Sequence, residues 1–338
     1  MPEPRSVVVI LAAHGEAEGP GLREQFAVSW RTLAHAAEVI PLPAAARVGI
    51  CGLGALRKRF AGKAGSRHNA MTRAQARGLA DALERDGGMA VQVASAFASA
   101  DPGVGDVLAA APADVPILLM SMIPTDSRLS CGIFCRAVAA RPGGEGAGPA
   151  VRPVARLWED PALVAVHRTH VDAWVETHRA ELPPREDSAL VIVLHGTLLA
   201  GRDGRPPPFH TGRREKARYG EALRAAFAGP NDSPWRRVEI AFLNHAVGGT
   251  WSQPALEDCL ADLARDGVRC VYAYPAEHVV ESAETGQLEQ VISASPVGRG
   301  YCLPCLNDAP EIIAFLADRV RAAVASRDAA PCDHCPLA

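Results

Sequence analysis

The sequence has no surplus of positive charge. Lys and Arg number 35 against 38 Asp and Glu, a formal net charge of -3. Nucleic-acid binding leans on a basic excess, so that class of partner is excluded. Long apolar runs are scarce as well: near the start the longest, Val7 to Ala13, is too short to span a bilayer. The five residues Met1-Pro2-Glu3-Pro4-Arg5 lack the basic character of a signal peptide, and no small-residue cleavage site follows. A cytoplasmic protein is expected, with peripheral membrane contact left open. Neither a Gly-Xaa-Gly-Xaa-Xaa-Gly pattern nor a P-loop occurs, so no nucleotide is called for. What the chain does have is apolar material. Hydrophobic residues make up 48% and charged ones 22%, enough for a substantial core and incompatible with disorder. At ~150 residues per domain, 338 residues give two domains or one large α/β unit.

Short apolar runs alternate with longer amphipathic stretches. Ser6 to Ala13 is β-branched and continuous, as a strand buried on both faces should be. Val91 to Phe97, Pro116 to Met122, Ala189 to Leu194, Val238 to Leu243 and Val268 to Tyr274 read the same way. Thr72 to Arg85 and Gln253 to Asp266 are helical in spacing, as is Pro161 to Ala180, which Pro183-Pro184 stops. Strand, helix, strand in repetition means parallel sheets covered by helices.

The two halves resemble each other. An apolar strand ends in His-Gly near the start of each, at His14 and at His195. Ala96-Phe97 later opens a stretch running to Pro124-Thr125-Asp126-Ser127, and Ala241-Phe242 opens one running to Pro275-Ala276-Glu277-His278. The expected fold is therefore α/β, two similar doubly wound, Rossmann-like halves facing a central cleft. Residues 1–150 form the first half and 151–184 a connecting helix, with the Gly/Pro-rich stretch Arg141 to Ala150 as an exposed loop between them. Residues 185–300 form the second half, and 301–338 a final helix with a cysteine-rich tail.

Candidate chemistry gathers in the second half. His195 sits where a strand ends, at the sheet edge where ligands of α/β folds bind, and an imidazole there can accept a proton or hold a metal. Glu277 to Glu284 follows the last central strand; Glu281 and Glu284 are three apart and share a helix face. A histidine with carboxylates makes a site for Fe²⁺ or a proton-accepting pair. Trp251, beside His245 and the Gly248-Gly249 turn, can wall a pocket for a flat ligand or simply pack in the core. The loop Gly201 to Gly212 carries three prolines and ends in Phe209 and His210, and reads as a lid or an exposed connection.

This second half resembles a ferrochelatase, the family that inserts Fe²⁺ into a porphyrin. The family has a strand ending in a Ser-Ala-His triplet, then Gly-Asp-Pro-Tyr-Pro, Gln-Ser-(Lys/Arg)-Xaa-Gly…Trp-Leu-Xaa-Pro, and Ser-Asp-His-Ile-Glu. The matching positions here are Val193-Leu194-His195, Gly204-Arg205-Pro206-Pro207-Pro208, Leu243-Asn244-His245 through Trp251-Ser252-Gln253-Pro254, and Glu277-His278-Val279-Val280-Glu281. Asn244-His245 in place of Ser-(Lys/Arg) marks a divergent member. The resemblance implies a metal chelatase of heme biosynthesis acting on protoporphyrin IX or coproporphyrin III, with His195 catalytic. Aligned on His278, the family's glutamate falls on Val280; a one-residue insertion moves it to Glu281, with Glu284 behind. Phe209, His245, Trp251 and His278 are the implied substrate-binding residues. Two other classes stay open, a cobalt or nickel chelatase and a non-catalytic tetrapyrrole-binding or iron–sulfur sensor protein.

Nine cysteines in a reducing compartment do not make a disulfide framework. Cys302-Leu303-Pro304-Cys305 and Cys332-Asp333-His334-Cys335 are two C-x-x-C pairs, and four thiolates complete a Zn²⁺ or [2Fe–2S] site. A helix from about Asp308 to Val324 rises ~25 Å, and an extended tail reaches back ~23 Å, so the pairs can just meet. Zinc is the default by spacing; the resemblance to ferrochelatases, many of which carry a C-terminal [2Fe–2S] cluster, tips the choice to iron–sulfur. Cys131 and Cys135 are reserve ligands, while Cys51, Cys259 and Cys270 read as small core residues.

Overall fold

A computed structural model describes residues 5–37, 42–60, 65–85, 89–140, 150–229, 233–245 and 248–326. The chain divides into two compact units, Met1–Arg156 with Ile313–Ala338, and Leu157–Ile312.

The first unit is built on β1 (Arg5–Ala13), followed by helices α1 (Leu22–Ala36), α2 (Ala44–Phe60) and α3 (His68–Arg85). Then come β2 (Met89–Phe97), α4 (Val104–Ala110), β3 (Ile117–Ser121), α5 (Cys131–Ala139) and β4 (Val151–Val154). All four strands are parallel, in the order β2-β1-β3-β4. Central β1 is buried throughout its apolar run, as the continuous pattern predicts. Val8, Ile10 and Ala12 pack on Val104 and Leu108 of α4 and on Phe134 and Val138 of α5. Each fully buried aliphatic side chain contributes roughly 1.5–3 kcal/mol.

The second unit contains α6 (Pro161–His178), β5 (Ser188–His195), β6 (Leu198–Gly201), α7 (Arg213–Phe227) and β7 (Arg237–Leu243). It continues with β8 (Gly249–Trp251), α8 (Leu256–Arg265), β9 (Cys270–Tyr274), α9 (Ala283–Ser293) and β10 (Arg299–Cys302). Asp160 starts α6 by accepting from the Ala162 N–H at 2.9 Å, with Pro161 in the first turn. The sheet order is β7-β5-β9-β10, again all parallel, and β6 and β8 form a separate antiparallel pair. Ala189, Val191 and Val193 of β5 pack on Leu256, Leu260 and Leu263 of α8 and Leu288 and Ile292 of α9.

Numbered within its own unit, each sheet runs second-first-third-fourth, so the repeat seen in the sequence is a repeat of topology. Its detail extends to the connections: the Phe97 N–H donates to the Pro102 carbonyl at 2.9 Å, and the Phe242 N–H to Pro254 at 3.0 Å. It also explains the two His-Gly pairs. A side chain at Gly15, where φ is 82°, would meet the Phe97 Cβ at 2.6 Å; one at Gly196 would meet the Leu243 carbonyl at 2.9 Å. In both, the chain leaves its first strand pressed against the end of the second, and glycine is what fits.

The division differs from the sequence expectation in two places. Val151–Val154 is the edge strand of the first sheet rather than part of a connector, and Pro161–His178 belongs wholly to the second unit. A four-residue strand holding Pro153 gives too short and broken an apolar signal to be seen. The last helix, α10 (Pro310–Ala325), joins the first unit from residue 313. Arg152 there donates to the Ala323 and Ser326 carbonyls, at 3.0 and 2.9 Å, and so satisfies the open end of α10. Most of the Gly/Pro-rich loop expected at Arg141 to Ala150 lies outside the described residues.

Candidate active site

At the carboxyl tips of the second sheet, three side chains converge. His195 closes β5, His245 lies two residues beyond β7, and Glu284 stands in the first turn of α9. The Nε2 atoms of His195 and His245 are 3.1 Å apart. Glu284 Oε1 is 3.4 Å from the first and 4.0 Å from the second. One donor atom from each of the three falls within 4.8 Å of the others. His278, beyond β9, donates from Nε2 to the other carboxylate oxygen of Glu284 at 2.8 Å. Trp251 stands edge-on to His245, with ring centroids 5.3 Å apart.

Backbone contacts fix how the groups are presented. His195 Nδ1 lies 2.7 Å from the Gly196 carbonyl. A carbonyl only accepts, so Nδ1 carries the proton and Nε2 offers its lone pair to the group. Glu284 is placed by the start of α9: Ser282 accepts from the Thr285 N–H, and Thr285 Oγ1 accepts from the Ser282 N–H. The carboxylate gains from the helix N-terminus in that turn.

Charge is strongly coupled here. Burial alone would push the His195 imidazole down, but the Glu284 carboxylate outweighs it and holds His195 above its ordinary value. Burial works against Glu284 too, yet His195 and His278 keep it well below the usual carboxylate range. His245 is shifted down, first by burial and then by repulsion from His195. The set therefore joins one anionic oxygen to two imidazoles, His195 shifted up by that charge and His245 shifted down. Two imidazole lone pairs and a carboxylate suit a first-row divalent cation of borderline softness.

Of the residues expected from sequence, the structure brings His195 together with Glu284, the carboxylate expected behind Glu281. Glu281 is held elsewhere: it precedes the Ser282 cap, and its carboxylate accepts from Asn307 Nδ2 at 3.1 Å. His245, expected to contact substrate, faces His195 across 3.1 Å. His278 and Trp251 flank it. Phe209 is half-buried on the loop between β6 and α7, next to His210, whose Nε2 is 3.5 Å from Glu215. Sequence reasoning passed over Lys216, which donates to the His195 carbonyl at 2.9 Å. It lies 21 residues along the chain, inside a helix, with no local motif to flag it.

Cys302 ends β10 half-buried and Cys305 is buried, and both are free thiols. Burial, then Glu289, pushes the Cys302 thiol up to about 11; burial, then Glu281, raises Cys305 as well. Thiolates form at this pair only when a metal displaces the protons, so loading it would release protons and grow stronger with pH. Cys332 and Cys335 lie outside the described residues. Cys131 and Cys135 are buried one turn apart on α5, and Cys51, Cys259 and Cys270 are buried in the cores.

No helix among the described residues is long and apolar enough to cross a membrane. No curated protein sequence matches the chain. Among solved structures, that of CbiX, described as the terminal enzyme for biosynthesis of siroheme in denitrifying bacteria, is 19% identical, with a TM-score of 0.48. It covers 94% of this chain and 99% of its own. DR2241 from Deinococcus radiodurans, a multi-domain protein described as similar to chelatases, is 13% identical, with a TM-score of 0.48. The match covers 96% of this chain and 56% of that one. SirB from Bacillus subtilis with Fe³⁺ is 11% identical over 94% of both chains, with a TM-score of 0.46. A profile of the ferrochelatase family matches residues 7–324, nearly the whole sequence. With its histidine and glutamate gathered at the strand tips, the chain belongs to the ferrochelatase family, whose chemistry is the insertion of a metal ion into a tetrapyrrole.

Proposed function

We propose that this protein inserts Fe²⁺ into a porphyrin, protoporphyrin IX or coproporphyrin III, in heme biosynthesis, with His195, His245 and Glu284 holding the incoming ion. The 3.1 Å between the two Nε2 atoms carries this reading. Imidazole nitrogens lie about 2.1 Å from a first-row dication, so two of them on one ion at 90–110° are ~3.0–3.4 Å apart. Glu284 supplies an oxygen that is already ionised, and the His278 hydrogen bond keeps that carboxylate aimed at the group.

Charge balance describes the reaction. One doubly charged ion enters the ring and two pyrrole N–H protons leave it. As the ion passes to the ring, the imidazoles of His195 and His245 are released, and each can take a proton at Nε2. Glu284 remains beside them as the counter-charge. Trp251, next to His245, offers an apolar face to a flat ring. Anaerobic incubation with Fe²⁺ and each porphyrin tests the reading: the wild type forms heme, and His195→Ala loses at least 100-fold. Wild-type insertion by His195→Ala overturns it.

A second reading rests on the second imidazole. Two nitrogens and one oxygen bind Co²⁺ and Ni²⁺ more tightly than Fe²⁺, which fits a cobalt or nickel chelatase acting on a more reduced tetrapyrrole. Competition among the three ions for insertion separates the readings, and tight tetrapyrrole binding with no turnover on any ion selects a non-catalytic protein.

The tail is proposed to carry a [2Fe–2S] cluster on Cys302, Cys305, Cys332 and Cys335, with Zn²⁺ as the alternative. Such a cluster supplies one-electron chemistry, and no step above passes through it. A brown protein whose visible absorption fades in Cys302→Ser supports the cluster; a colourless protein containing zinc refutes it.

A further inference from the structure

Behind the metal-holding group lies a buried ion pair that the reaction does not use. Lys216 Nζ is 3.2 Å from Glu277 Oε1, with side chains 9% and 2% exposed. Both partners also bond the backbone of one residue. Glu277 Oε2 accepts from the His195 N–H at 2.9 Å, and Lys216 donates to the His195 carbonyl at 2.9 Å.

The sheet explains why that backbone needs partners. On the β7 side, Gly196 donates to the Leu243 carbonyl at 2.8 Å. On the other side the β5–β9 ladder stops at Ile192 and Tyr274, with one more bond from the Ala276 N–H to the Val193 carbonyl at 3.1 Å. His195 lies two residues past Val193, so its N–H and C=O point the same way, beyond the place where β9 has ended. Unpaired, two buried backbone groups would carry the cost of lost hydrogen bonds. The ion pair takes the place of the missing strand.

Neutral side chains could satisfy those groups at lower desolvation cost. The extra structure around the pair argues for more than satisfaction. Tyr219, three residues after Lys216 on α7, and Tyr274, three before Glu277 at the end of β9, bracket His167 of α6. Its two ring nitrogens are each 2.5 Å from a tyrosine oxygen. An uncharged imidazole donates to one and accepts from the other, and burial keeps His167 uncharged, pushed down to about 3. This web ties together the helix that carries Lys216 and the strand that leads to Glu277.

We infer that Lys216 and Glu277 are positioning residues that hold the backbone of His195 so that its Nε2 stays in register with His245 and Glu284. The inference rests on the chelatase reading for what His195 does, and on geometry alone for where it is held. The test is the double variant Lys216→Met/Glu277→Gln, which removes both charges and leaves no lone buried ion. Two readouts are taken on the full chain: the low-field NMR signal of the His195 Nδ1 proton, and the affinity for Co²⁺ alone. The signal should broaden or vanish, and Co²⁺ should bind roughly 10–100-fold more weakly, as expected when a ligand loses its support. Turnover should fall with KM for the tetrapyrrole unchanged, and Lys216→Arg should restore most of it.

A signal that persists in the double variant overturns the inference whatever the affinity. So does a lost signal with wild-type Co²⁺ affinity, provided His195→Ala abolishes Co²⁺ binding. If the signal is lost and His195→Ala binds Co²⁺ like wild type, positioning stands and the chelatase reading falls. Should the double variant not fold, Glu277→Asp, which keeps both charges and shortens the reach to the His195 N–H, gives the same signs at smaller size.

Discussion

The tips of β1 and β5 are the same place in two copies of one topology, and among the described residues only the second gathers a His–His–Glu set with the spacing to hold a metal. Both end in His-Gly, and in both the glycine is pressed against the end of the second strand. The surroundings then part. By register, Ala13 faces Phe97 and His195 faces Leu243. The position that holds His245 in the second unit therefore holds Ala100 in the first. The bond from Ala276 to Val193 corresponds to that from Met122 to Ala12, which sets Ile123 where the second unit has Glu277. His14 has instead the Thr32 hydroxyl at 3.4 Å from its Nε2, and Thr32 in turn donates to Ser99 at 3.1 Å. A strand tip supplies a place, and the connections that follow the neighbouring strands supply the chemistry.

The largest expected contrast is between the two histidines. His195→Ala should lower metal insertion at least 100-fold, while His14→Ala, whose imidazole has hydroxyl neighbours in place of a second histidine and a glutamate, should stay within about threefold of wild type at equal folded fraction. Steady-state insertion rates compare them directly, and equal losses would break the distinction between the tips. Glu284→Gln comes next. It should weaken Co²⁺ binding roughly 10–100-fold by calorimetry, and the described residues of the first unit hold no counterpart of that set.

A pH series sharpens the same point. Protons compete with metal at His195, whose pKa is raised by Glu284 after burial has pulled it down. Metal affinity should fall as pH drops through a midpoint above the ordinary histidine value of about 6.5. In Glu284→Gln the raising charge is gone and burial remains, so that midpoint should move down. An unmoved midpoint would mean Glu284 does not govern the pair.

The smallest effects concern the glycines. Gly15→Ala, at a φ of 82° and 2.6 Å from the Phe97 Cβ, should destabilise by about 1–3 kcal/mol in urea unfolding. Gly196→Ala should cost a similar amount by crowding Asn244 and Leu243, and should also displace His195. Only the second should weaken Co²⁺ binding.

Much of this was legible in the residues. The buried strands announced themselves as unbroken apolar runs, the repeated His-Gly located both tips, and the resemblance to ferrochelatases pointed to His195. Other features needed three dimensions. Nothing local ties Lys216 to a histidine on another element, and His245 becomes a partner of His195 only through the register of β5 on β7. The carboxylate is a different case, because its signal was present. Ser282-Ala283-Glu284-Thr285 is a helix start with hydroxyls at both ends of the box, and it places Glu284 inside the first turn and Glu281 outside it. Reading the cap before the family spacing would have put Glu284 first. The strand Val151–Val154, short and broken by Pro153, had no comparable mark.

The bond from His195 to the Gly196 carbonyl has a consequence for the sequence of events. With Nδ1 committed to that oxygen, the ring has a single vacancy, and an ion and a proton must take turns in it. Delivery therefore has to come before neutralisation, and the half-buried centre is never asked to hold both positive charges at once on this ring.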